Sequence, residues 1–191
     1  MDLPTALIRQ LASSGILRYG HFGFRTGRHS AALIDRDLLL ADPALASHFG
    51  YAIAKHCFTE RIDTIVTPSI WGAGLAQWVG YFLEPRAKVV EAVREDGELT
   101  IAEKLLPMIE GKRVLLVDNL VLSGQTMQTL IDLTTAHRST IVGIAALWSA
   151  AGDRIGERAV EAALNGHFPA WAPDDCPACS GGQGAPEPVA Y

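Results

Sequence analysis

The sequence predicts an α/β fold, a mostly parallel twisted sheet covered by helices on both faces. Three observations carry this. Thr64–Val66, Ala87–Val90, Arg113–Val117 and Thr140–Leu147 are short, continuous apolar runs, the pattern of strands buried on both faces. Each run leads into a polar or glycine-containing stretch. Helical segments follow two of those stretches, at Leu75–Phe82 and Met127–Ala136, and strand, loop and helix in alternation build parallel sheets.

The elements follow in chain order. Asp2–Ser14 has apolar residues at Leu3, Leu7, Ile8 and Leu11, which is helical spacing. Gly15–His29 holds four glycines and reads as turns with short strands. Asp42-Pro43 starts a helix running to about Lys55, because Asp caps free N–H groups and Pro suits the first helical position. The loops at Thr67–Gly74, Glu91–Glu103, Asp118–Thr126 and Trp148–Arg154 are expected at the carboxyl ends of the strands, where such sheets bind ligands. Arg154–Asn165 reads equally as a helix or a final strand. His167–Tyr191 is rich in proline and glycine and is expected to be irregular and partly mobile. One domain is expected: residues 1–40 an N-terminal region, 41–165 the core, 166–191 a tail.

Composition narrows the function classes. A chain of 191 residues with 49% hydrophobic content suits one globular core. A net charge of −5 gives no general attraction for nucleic acid or an anionic membrane. No run approaches the ~20 apolar residues of a membrane span, and no signal-peptide pattern opens the chain. Three cysteines, Cys57, Cys176 and Cys179, do not make a disulfide framework, so a cytoplasmic location is expected.

The strongest motif is VLLVDNLVLSGQT, Val114–Thr126. An apolar strand ends at Asp118-Asn119, and a Ser-Gly-x-Thr turn then opens a helix. The N–H groups and partial positive charge of a helix N-terminus suit a phosphate dianion. Gly124 lets backbone approach closely, and Ser123 and Thr126 add hydroxyl donors. Asp118 and the Asn119 carbonyl oxygen can accept hydrogen bonds from vicinal sugar hydroxyls. The plainer reading is that Ser123 and Thr126 only cap a helix.

At these residues the chain resembles the type I phosphoribosyltransferases, and most closely the orotate phosphoribosyltransferases. HFGFRTGRHS (His21–Ser30) resembles that family's N-terminal signature. TPSIWGAG (Thr67–Gly74) is similar to its pyrophosphate loop, and VVEAVREDGELT (Val89–Thr100) to its strand and mobile catalytic loop. FPAWAPDDCPACSGG (Phe168–Gly182) resembles the ending of one bacterial and archaeal branch. The resemblance implies that fold, with a small N-terminal hood, and a glycosyltransferase activity in nucleotide metabolism. Ribose 5-phosphate would pass from phosphoribosyl pyrophosphate to a nitrogenous base, orotate or another, with Mg²⁺ brought in by the ligand. It implies Asp118 and Asn119 on the ribose, and Ser123, Gly124, Gln125 and Thr126 on the 5′-phosphate. Thr67, Pro68, Ser69 and Gly72 would face pyrophosphate, with Arg94 and Lys104 neutralising it. A homodimer is implied as well.

Several positions depart from the family pattern. Asn119 stands for the second ribose acid, Leu122 for Thr or Asp, and Leu33 for an aromatic. Trp71 stands for a glycine, and Ala102-Glu103 before Lys104 for a basic pair. Trp148-Ser149-Ala150 falls where orotate-using relatives carry an arginine, and Arg154 is the nearest here. These departures motivate an alternative, a homologue that binds a phosphoribosyl nucleotide without turning it over. Cys176 and Cys179 form a CxxC, half of a zinc site. No second pair follows, and nothing in the sequence places Cys57 or His167 beside it, so a plain reduced tail is expected. His21 and His29 read as surface or structural histidines. Trp71 and Trp148 read equally as rim packing or as a flat wall for a ring.

Overall fold

A computed structural model describes residues 5–164 and 168–189. Helix α1 (Thr5–Ser13) buries Leu7 and Leu11, on the spacing read from the sequence. Strands β1 (Leu17–Gly23) and β2 (His29–Ile34) form an antiparallel hairpin with one extra residue of β1 between Tyr19 and Phe22. Helix α2 (Arg36–Ala41), which the sequence did not signal, is capped by the Asp35 carboxylate. Helix α3 (Pro43–His56) starts where expected: the Asp42 side chain accepts from the Ala44 and Leu45 N–H groups and Pro43 takes the first position.

The main sheet is built by β3 (Thr64–Thr67), β4 (Lys88–Glu91), β7 (Arg113–Val121), β8 (Thr140–Ser149), β9 (Arg154–Ile155) and β10 (Arg158–Ala162). Helix α4 (Ile70–Phe82) links β3 to β4, and α5 (Gln125–Ala136) links β7 to β8. Between β4 and β7 lie an antiparallel hairpin, β5 (Val93–Glu95) with β6 (Glu98–Thr100), and a 3₁₀ turn, Glu103–Met108. The strand order is β4-β3-β7-β8-β10-β9, parallel except for the last pair. Arg154–Asn165 is therefore a strand–turn–strand hairpin, β9 and β10, over most of its described part, and not a helix.

Alternation along β7 explains its continuous apolar run. Leu115 and Val117 join one core with Leu75 and Val79 of α4, while Val114 and Leu116 join another with Met127 and Leu130 of α5. Two boundaries differ from expectation. α4 begins at Ile70 rather than Leu75, because the Ser69 side chain caps it. β7 runs through Asp118 and Asn119 to Val121, because pairing with β8 continues to Val121↔Ser149.

Over its described residues the tail pairs with the β1–β2 hairpin at two places. β11 (Ala170–Trp171) pairs with β2, and β12 (Glu187–Pro188) pairs with β1. Between them, α6 (Pro177–Ser180) carries the CxxC. The hood is thus a sheet of order β11-β2-β1-β12 made from both ends of the chain. Among the described residues no helix is long and apolar enough to cross a membrane.

Candidate phosphoribosyl site

The sheet switches direction between β3 and β7. From β3 the chain steps outward to β4, returns past β3 to β7, and then steps the other way to β8. α4 and α5 pack on opposite faces, which leaves a crevice at the carboxyl ends of β3 and β7. The residues at that crevice are Ser69 and Asp118.

Ser69 joins the two strands. Its hydroxyl accepts from the Gly72 N–H (3.0 Å) and donates to Asp118 Oδ1 (3.1 Å). The same Oδ1 accepts the Asn119 N–H at 2.8 Å. A side chain at position 72 would collide with Thr67 Oγ1 and come within 3.0 Å of Asp118 Oδ1, so only glycine lets α4 start this close to β7. Asp118 is 8% exposed, and burial pushes its carboxyl up to about 6 from an ordinary 3.8. The Asn119 N–H, the Ser69 hydroxyl and the Arg36 charge pull it back down. Arg36, from α2, lies over the Trp71 ring at 5.2 Å.

The turn after β7 supplies the other wall. Gly124 has φ +80°, left-handed backbone that favours glycine, and the turn it makes lets α5 begin at Gln125. Ser123 Oγ accepts the Gln125 N–H at 3.3 Å. The first-turn N–H groups of α5 have no carbonyl one turn back to bond, and no acid stands in that turn. The start of α5 borders a cavity of about 210 Å³ lined by Asp118, Leu122, Ser123, Gly124 and Thr126, with Thr26 from the β1–β2 turn. One carboxylate, two hydroxyl-bearing side chains beside a helix start and one hood threonine suit a sugar phosphate. A larger cavity of about 340 Å³ lies on the amino-terminal halves of β8 and β10. Its Glu60, Glu157 and Glu161 carboxylates oppose an anion, so it is the poorer candidate.

The residues singled out in the sequence divide three ways. Asp118, Ser123, Gly124 and Thr126 share the cavity, and Thr67, Ser69 and Gly72 pack behind Asp118, with Pro68 half-buried between them. Gln125 turns its side chain to solvent, and its N–H donates to Ser123 Oγ. Three do not reach. Asn119 is 2% exposed, its Oδ1 accepts the Leu120 N–H, and its Nδ2 is buried without a partner among the described residues. Arg94 donates to the Gly97 carbonyl of its own hairpin, and Lys104 is exposed on the 3₁₀ turn. Arg154 bonds the Glu157 carbonyl in the β9–β10 turn.

Trp148 is buried against Phe24 and donates to the Phe168 carbonyl, so it is packing, whereas Trp71 is 43% exposed at the start of α4. Sequence reading missed Thr26 and Arg36. Each lies near in space and far in sequence, and its only signal was adjacency to a turn or a cap.

Comparison with known proteins fits this geometry. The family model of the phosphoribosyl transferase domain matches residues 35–164, from the cap of α2 through β10. The chain belongs to the phosphoribosyltransferase family. An orotate phosphoribosyltransferase of Thermus thermophilus is 31% identical over 173 residues, 88% of this chain and 92% of that one. One from Chlorobium phaeobacteroides is 28% identical over 173 residues, 89% and 87%. Among solved structures, a phosphoribosyltransferase of Corynebacterium diphtheriae superposes with a TM-score of 0.63 at 14% identity, covering 82% of this chain and 92% of that one. The UMP synthase of Leishmania donovani gives 0.65 at 23% identity, covering 82% of this chain and 35% of that longer one. These neighbours share the fold of this phosphoribosyltransferase, a mostly parallel sheet flanked by helices.

Proposed function

We propose that this phosphoribosyltransferase moves ribose 5-phosphate from phosphoribosyl pyrophosphate to a ring nitrogen of a base. One observation carries the proposal: Asp118, Ser123, Gly124 and Thr126 line one cavity at the start of α5. In this reading the 5′-phosphate sits on the α5 N–H groups and the Ser123 and Thr126 hydroxyls. Asp118 takes the ribose hydroxyls, held in place by Ser69 and the Asn119 N–H. The C1–oxygen bond to pyrophosphate breaks with its electron pair leaving on pyrophosphate. The base nitrogen supplies the pair for the new bond, and its proton goes to solvent.

Magnesium fits this site through one carboxylate. Asp118 Oδ2 lies outside any hydrogen bond among the described residues, and Mg²⁺ ordinarily completes its shell with water and substrate phosphates. When bound it would neutralise charge on the departing pyrophosphate. Arg94 and Lys104 lie outside the cavity, so their part in neutralising charge requires the β5–β6 hairpin and the 3₁₀ turn after it to move. The names of the relatives favour orotate. The buried Trp148 and Ala150, and an Arg154 already engaged, favour a base without a carboxylate. A cytoplasmic homodimer is part of the proposal, supported by an aromatic group on α3 and α4 in which Tyr51 and Tyr81 are exposed. Light scattering tests the dimer.

The buried Asn119 and the distant Arg94 favour a second reading, a protein that binds a phosphoribosyl nucleotide without turnover. Pyrophosphate release from phosphoribosyl pyrophosphate with Mg²⁺ and a panel of bases, orotate included, separates the two. Release with at least one base is the expected result. Tight binding with no release from any base supports the second reading, and no binding at all overturns both.

A further inference from the structure

The hood holds a second constellation, assembled from four places in the chain. His21 comes from β1, His29 from β2, and Cys176 and Cys179 from the cap and last turn of α6. One ligand atom from each lies within 4.8 Å of the others. We propose that His21, His29, Cys176 and Cys179 bind a structural zinc ion that fastens the tail to the hood.

The spacings are those of a tetrahedron. Zn–N bonds of about 2.0–2.1 Å and Zn–S bonds of about 2.3 Å give ligand separations of about 3.3 Å between nitrogens and about 3.5 Å between nitrogen and sulfur. Here His21 Nε2 and His29 Nδ1 are 3.2 Å apart. His21 Nε2 lies 3.6 Å from each sulfur, and His29 Nδ1 lies 3.3 Å from Cys179 Sγ. Two sulfurs and two imidazole nitrogens at such spacing select zinc over oxygen-seeking Mg²⁺ or Ca²⁺.

The surroundings orient the ligands. His21 Nδ1 lies 3.1 Å from the Gly184 carbonyl, so it carries the proton and donates, which leaves the Nε2 lone pair aimed at the cluster. The extra residue in β1 falls between Tyr19 and Phe22, where His21 sits, and a bulge of this kind re-aims a side chain. The ring of His21 meets that of His29 edge-on, with centroids 5.0 Å apart. Cys176 and Cys179, three apart on one helical turn, put both sulfurs on one side. A hydrogen-bonded cluster explains less: the single lone pair on His21 Nε2 has three neighbours within 3.6 Å and can accept from only one well. A cation engages all four.

The ion would also reach the phosphate site. His29 pairs with Gly23 at the mouth of the turn that carries Thr26 into the cavity. Fixing β1, β2 and the tail together fixes that turn. This consequence rests on the proposed ligand of the cavity, whereas the metal site does not.

The untagged full chain, isolated under reducing conditions, tests the proposal by metal analysis. About one zinc per chain is expected. Metal-free wild-type chain given Co²⁺ should show the visible bands of tetrahedral cobalt with a thiolate-to-metal charge-transfer band. Cys179→Ser and His29→Gln should each lower zinc retention at least tenfold against a competing chelator, with far-UV circular dichroism reporting that they fold. Zinc should also protect Cys176 and Cys179, and not Cys57, from alkylation in the wild-type chain, a readout that needs no variant. A chain with free thiols that holds no zinc and gives no cobalt spectrum overturns the proposal. So does a Cys176–Cys179 disulfide in chain handled without air, or unchanged retention in folded Cys179→Ser.

Discussion

The phosphate turn and the hood–tail cluster are built by opposite means. The turn comes from one stretch, Asp118–Thr126, and much of its chemistry is backbone: a left-handed glycine, a helix start and a strand end. The cluster is all side chain, and its histidines and cysteines stand 155 residues apart where His21 meets Cys176. A site of the first kind keeps its hold on the phosphate through side-chain changes that leave the turn intact. A site of the second kind is lost with one ligand. If the two are separate units, changes in one leave the other standing, and the following outcomes test that.

The largest effect is expected at Asp118, the one ionisable group lining the phosphate cavity among the described residues. Asp118→Asn keeps an oxygen for Ser69 and the Asn119 N–H but removes the charge facing the sugar. Turnover in the proposed reaction should fall on the order of 10²–10³-fold, as when one transition-state partner is removed. Zinc content should not change. A variant that loses its metal along with its turnover would break the separation of the two regions.

The same residue should carry a stability cost. Its native carboxyl is raised to about 6 from 3.8, so between those pH values the native state binds more protons than the unfolded chain. Stability contributed by the protonated carboxyl is present below about pH 4 and lost as pH rises through about 6. That difference corresponds to about 2–3 kcal/mol. Asp118→Asn should therefore be more stable than wild type at pH 7.5, by up to about 2–3 kcal/mol in urea unfolding, with the gap closing toward pH 4. Equal stabilities at both pH values would mean that the cavity solvates Asp118 better than its 8% exposure implies.

This contrast also decides what the sequence disclosed. The turn was legible because a strand end, a glycine and a helix start are neighbours in sequence, and the Asp42-Pro43 helix start was legible for the same reason. The start of α4 was misplaced because Gly72 and Gly74 depress helix propensity, while the Ser69 cap and the contact with Asp118 override it. β7 outran its expected end because an Asp-Asn pair reads as a boundary, yet β8 pairs with it to Val121. Asn119 was assigned to the ribose by analogy of position. Inside a strand buried on both faces, adjacent residues point to opposite sides, so Asp118 and Asn119 cannot both face the cavity through their side chains. The cluster was illegible because no local pattern ties a hairpin histidine to a tail cysteine.

Gly124→Ala probes the backbone half of the comparison. At φ +80° an L-residue is strained, and the added methyl would lie 3.2 Å from Ile155 Cγ1. The expected loss is about 1–2 kcal/mol of stability, with weaker binding of phosphoribosyl pyrophosphate because the N–H groups of α5 shift. Thermal unfolding and calorimetry read the two effects. A variant as stable as wild type that binds equally well would show that the turn does not depend on left-handed backbone.

Ser123→Ala should have the smallest effect, and it tests the contrast most directly. Its hydroxyl accepts the Gln125 N–H at 3.3 Å from an exposed position, so its removal frees one more donor at the helix start and removes one. Affinity for phosphoribosyl pyrophosphate should drop only about 2–5-fold, equivalent to roughly 0.5–1 kcal/mol, since the backbone groups that hold the phosphate remain. Titration calorimetry at fixed Mg²⁺ measures it. Loss of binding by a hundredfold would place the phosphate on side chains rather than backbone. The turn would then be the same kind of site as the hood–tail cluster, one that fails when a single ligand is withdrawn.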